Sequence, residues 1–320
     1  DIAQLVQVNG ESKIQAFQAG LTTVVGTTET DTVRFVLEVV PPVRPAEYET
    51  VDPYLADIQE CALKEVPVVI IRYMPTLDGQ HLDPANGGDI NWAMPLDQLR
   101  DRIHTFDRRV KFMLTEGSKY HGYQDPEAIP YLGYKVVDVI NVYEPLPKGK
   151  ATGNNTNAYF PDYYQIVDRF NGAHYVNDLG VKEFWLWGWH NDDIVPAESN
   201  MSSPTTGDVS NSFRFQDDLP VYDQTYVLYN YSFGRSQNEA VHNHGHQIES
   251  QLGHVNLLQD NNLALFWGKF VGSKEDPELD CSDPTKGCSD TNPFRKGRVG
   301  WTHMPPNTTQ DYDYYNQDLF

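Results

Sequence analysis

Three side chains on one short stretch, His242, His246 and Glu249, have the types and spacing of metal ligands. Wound as an α-helix at about 100° per residue, the run from Asn238 to His254 places them within about 60° of helix face. Imidazoles at i and i+4 with a carboxylate at i+7 can converge on one Zn²⁺-like ion, provided another element supplies the remaining ligand. His303 and His190 are the candidates for that ligand. Glu198 and Asp193 are the candidates for a general base beside a metal-bound water. The zinc-hydrolase form His-Glu-x-x-His is absent, because Asn243 follows His242. The base must therefore come from outside the helix.

The same residues allow a metal-free reading. Glu198 and Glu249, or either with Asp192 or Asp193, could form the acid and base pair of glycosidic cleavage. Trp185, Trp187, Trp189, Trp267 and Trp301 could then supply stacking faces for sugar rings, although aromatics on one strand face also serve as core. On either reading the site draws on the 238–254 helix and the loops at 189–203 and 301–307.

The elements that must position these residues alternate between two periodicities. The apolar run at 66–74 reads as a strand buried on both faces, and 134–143, 181–188, 225–232 and 263–271 read as further strands. Between them, 95–114 keeps helical spacing through Leu96, Leu99, Ile103, Phe106, Val110 and Met113. Further helices are expected at 54–64, 161–178 and 238–254, and a surface loop at 148–157. In the last helix Val241, Gly245, Ile248 and Leu252 form the stripe expected to face a core. The alternation predicts an α/β fold with a mainly parallel, doubly wound sheet and helices on both faces. Residues 1–47 form an N-terminal β-rich segment, with strands at 20–26 and 32–40, ahead of a principal α/β domain at 48–320.

A net charge of −21 over 320 residues disfavours nucleic acid and anionic membranes as partners. No run of about 18 apolar residues is present, so no membrane insertion is expected. Cys281 and Cys288 enclose a short polar loop suited to a disulfide, while Cys61 reads as an inert thiol. Six acidic residues around that pair would suit Ca²⁺, but they lack the spacing of a Ca²⁺ loop, so Zn²⁺ is the expected cofactor ahead of Ca²⁺. Sequons begin at Asn154, Asn200, Asn230 and Asn307. Together these features lead to the expectation of a secreted, extracellular hydrolase acting on carbohydrate. The alternative from another class is a non-catalytic extracellular glycoprotein, either a carbohydrate-binding protein or a structural assembly subunit.

Overall fold

A computed structural model describes residues 46–260, apart from 59–61, 87–93, 121, 123, 153–157, 191–192 and 212–216. It also describes residue 302 and the backbone of four strands before residue 40. Those four, β1 (Ala3–Val8), β2 (Glu11–Ala16), β3 (Gly20–Thr27) and β4 (Thr32–Val39), pair antiparallel as β1 with β2 and β3 with β4. The expected strand at 263–271, all three cysteines, and Trp267, Trp301 and His303 lie outside the described residues.

The main sheet has six strands. In chain order they are β5 (Glu47–Glu49), β6 (Lys64–Tyr73), β7 (Leu132–Val142), β10 (Glu183–Gly188), β11 (Ser199–Ser202) and β12 (Tyr226–Ser232). In space the order is β11-β12-β10-β6-β7-β5. The four central strands run parallel, and both edge strands run antiparallel to their neighbours.

This corrects the expectation of a mainly parallel, doubly wound sheet. Among the described residues five of the eight strand pairings are antiparallel, so the sheet system is mixed. The two long helices, α2 (Leu96–Gly117) and α4 (Gln237–Asp260), pack against each other and so share one side of the sheet. The physical reason is that apolar runs reveal strands buried on both faces. The edge strands β5 and β11 are three and four residues long and carry no such run.

Alternation within the central strands divides the core into two layers. Val68 and Ile70 of β6 and Trp185 and Trp187 of β10 face α2, meeting Leu99, Ile103 and Val110. Val69, Ile71, Phe184 and Leu186 face the other way, onto Ile166 and Val167 of the short helix α3 (Tyr163–Arg169). Each such side chain contributes about 1.5–3 kcal/mol on burial, which makes these layers the main source of cohesion.

Other local expectations shift as well. The helix expected at 54–64 shortens to α1 (Pro53–Ala56), capped by the Asp52 carboxylate on the Tyr54 N–H. The helix at 161–178 breaks at Asn171, whose φ of 57° lies in the left-handed region, and resumes as one π-helical turn at His174–Asp178. The loop expected at 148–157 instead begins with β8 (Lys148–Ala151), paired with β9 (Tyr159–Pro161).

Candidate metal centre

Helix α4 follows β12 after a short turn, as the sequence suggests, but it buries a different face from the one expected. Ile248 and Leu252 are 51% and 44% exposed. The residues turned to the protein are Ala240, Asn243, His244 and Gln247, three of them polar. They are buried because each finds a partner there. Asn243 Nδ2 donates to the Asn230 carbonyl at 2.9 Å, and His244 Nε2 lies 2.6 Å from the Tyr231 hydroxyl. Gln247 donates to the Val209 carbonyl at 2.8 Å and accepts from the Ser199 hydroxyl at 2.7 Å. Buried polar groups matched in this way avoid the penalty of about 1–3 kcal/mol for an unsatisfied group.

Asn230 sets both walls of the site. Its N–H donates to the Glu198 carbonyl at 3.2 Å, while its own carbonyl holds Asn243 of α4. Its side-chain oxygen accepts from the Tyr163 hydroxyl at 3.0 Å, and that hydroxyl accepts the Ala197 N–H at 2.7 Å. Glu198, just before β11, is thereby registered against the helix 44 residues further along the chain.

The result is a group of one carboxylate and two imidazoles that could hold a metal ion: Glu198, His242 and His246, with ligand atoms within 4.8 Å of one another. Glu198 Oε1 lies 3.6 Å from His242 Nε2, and Glu198 Oε2 lies 4.0 Å from His246 Nε2. Both separations exceed the ordinary hydrogen-bond range. Three ligands about 2.0–2.1 Å from one tetrahedral ion lie roughly 3.4 Å apart, so the observed triangle is an opened form of that geometry. The two imidazoles meet edge to face, with ring centroids 4.4 Å apart.

Glu249 takes a different position from the one its spacing suggests. Its Oε2 lies 3.0 Å from His246 Nδ1, on the far side of that ring from Glu198. Its Oε1 accepts from the Thr302 N–H at 2.6 Å and the Thr302 hydroxyl at 2.8 Å. In the tautomer with Nδ1 donating to Glu249, the Nε2 lone pair of His246 points toward the Glu198 carboxylate. A lone pair facing a carboxylate favours a cation between them.

Burial pushes the Glu198 carboxyl up, but the neighbouring His242 and His246 imidazoles and the Asn211 amide together hold it below its ordinary value. The anionic form is the one a metal requires. The Glu198 side chain is 36% exposed, against 3% for His242 and 8% for His246, so solvent reaches the group from the glutamate side.

The remaining candidates lie elsewhere. Asp193 is exposed and pairs with Lys148 at 3.4 Å. His190 follows β10; its Nε2 is buried and meets no hydrogen-bond partner among the described residues, and burial with the nearby Arg235 charge pushes it down to about 3. Trp185, Trp187 and Trp189 are buried and packed on aromatic neighbours such as Tyr231 and Phe233. Asn200 and Asn230 are fully buried in strands, which leaves no space for a glycan on either. No described helix is long and apolar enough to cross a membrane.

Sequence reasoning missed Thr302 and the anchoring roles of Asn230, Asn243 and Gln247. The signal for the helix was present: Ala240, Asn243, His244, Gln247 and Gln251 follow the i, i+3, i+4 spacing of a buried face, filled with polar residues. Comparison with protein-family models, curated proteins and solved structures finds no match, so the chemistry of the group rests on its geometry.

Proposed function

We propose that this protein is a secreted, metal-dependent hydrolase, with Zn²⁺ held by Glu198, His242 and His246. The observation that carries the proposal is the facing of the Glu198 carboxylate and two imidazole Nε2 atoms around one point, with solvent access on the glutamate side. Three nitrogen and oxygen ligands suit Zn²⁺ and leave a fourth position for water. Zn²⁺ so bound would lower the pKa of that water to about 7 and make hydroxide available near neutral pH.

The protein's own part is to hold two imidazoles and a carboxylate in register. The carboxylate-pair route draws less support. Both oxygens of Glu249 are engaged by His246 and Thr302, which turns its carboxylate away from Glu198. Carbohydrate as the substrate class now rests on Trp267 and Trp301, because the other three tryptophans of that expectation are core residues.

One observation favours a second reading, a non-catalytic extracellular protein with a structural ion: both imidazoles are almost fully buried. The test is removal of metal by a chelator, followed by assay on polysaccharide, peptide and ester panels and by thermal melting. The hydrolase reading expects turnover of one panel, lost on chelation and restored by Zn²⁺, with a small change in Tm. A large fall in Tm and no turnover on any panel would favour the structural ion.

A further inference from the structure

We infer that Glu249 and Thr302 are positioning residues for His246, fixing its tautomer and ring plane so that Nε2 is presented to the ion. The inference rests on the metal reading above and assigns Glu249 a role outside the ligand set. Glu249 reaches Nδ1, the ring nitrogen that points away from Glu198. A carboxylate there makes Nδ1 the protonated nitrogen, leaves the lone pair on Nε2 and raises its basicity. The carboxylate is itself fixed, since Thr302 donates to Oε1 through both its N–H and its hydroxyl.

The position of Thr302 is set by Gly245. A Cβ on Gly245 would lie 2.7 Å from the Thr302 hydroxyl oxygen, so only glycine lets the threonine settle this closely on the helix. Gly245 is the residue immediately before His246. The close approach therefore falls beside the imidazole that the threonine supports through Glu249. Outer partners of this kind change metal affinity by about 10–100-fold when removed.

The experiment measures Zn²⁺ affinity by competition with a chromophoric chelator, and the visible spectrum of the Co²⁺-loaded protein, for the full chain and for Glu249→Gln, Glu249→Asp and Thr302→Val. The expected result is about 10–100-fold weaker binding for Glu249→Gln, a smaller loss for Thr302→Val and partial recovery with Glu249→Asp. A changed Co²⁺ spectrum should accompany these losses while the metal-free Tm stays near that of the parent, which a merely structural role would not produce. Should Glu249→Gln fail to fold, Thr302→Val carries the test, because it keeps the side-chain shape and removes only the hydroxyl donor. Parental affinity and spectrum in the variants would overturn the positioning role while leaving the metal reading standing. Absence of binding by the parent protein would overturn both.

Discussion

At the scale of single residues, the protein places polar and ionisable groups inside, and Glu183 shows the consequence most clearly. Burial pushes its carboxyl up to about 7 from an ordinary value of 4.5, against the hydrogen bond from Trp185 Nε1 at 2.8 Å. The folded state therefore binds a proton that the unfolded chain releases above about pH 4.5. This contribution to stability is fully present below the unfolded value and is lost as pH rises toward and through 7. Denaturant melts of the parent and of Glu183→Gln between pH 4.5 and 8 should show a decline with pH in the parent that is flatter in the variant. Identical pH slopes in the two proteins would show that Glu183 is not protonated in the folded state. The metal candidates were only half legible at this scale. The types and spacing of His242 and His246 are visible in the sequence. The exchange of roles between Glu198 and Glu249 is not, because it depends on a loop registered through Asn230.

At the scale of elements, α4 was legible in its start, ran six residues past the expected end at 254, and was illegible in orientation. A hydrophobic pattern assigns Val241, Ile248 and Leu252 to the core, yet the helix is held by Asn243, His244 and Gln247, whose hydrogen bonds to β12 and its surroundings no apolar pattern encodes. The central strands β6, β7, β10 and β12 were legible for the opposite reason, since strands covered on both faces must be apolar almost throughout. Gly245 offers a test of the helix as an element. Replacement by Ala improves helix propensity by about 1 kcal/mol, but the new methyl must displace Thr302. Gly245→Ala is therefore expected to keep or slightly raise the metal-free Tm while weakening Zn²⁺ binding about tenfold, within the range for outer partners. Unchanged Zn²⁺ affinity in competition titrations would show that the close approach of Thr302 has no bearing on the ion.

At the scale of the whole molecule, one buried charge cluster ties the sheet to its long helix. Arg72 of β6 is fully buried and donates to Asp107 of α2 at 2.8 Å and to Glu49 of β5 at 2.9 Å. Asn141 of β7 donates to the same Glu49 oxygen, and the Trp187 indole of β10 donates to Asp107. Four of the six strands and α2 thus share one network near the center of the sheet. Arg72→Met would leave Asp107 buried without its cation and should cost about 3–5 kcal/mol, measured as a lowered midpoint in urea. A midpoint within error of the parent would mean that the network is dispensable.

The central claim is that Glu198, His242 and His246 together bind one ion. It is tested most directly by elemental analysis of the purified protein beside a His242→Ala, His246→Ala double variant. Close to one equivalent of Zn²⁺ in the parent, absent from a folded double variant, is the expected result. A parent that carries no metal after equilibration with Zn²⁺, or a double variant that retains it, would contradict the claim.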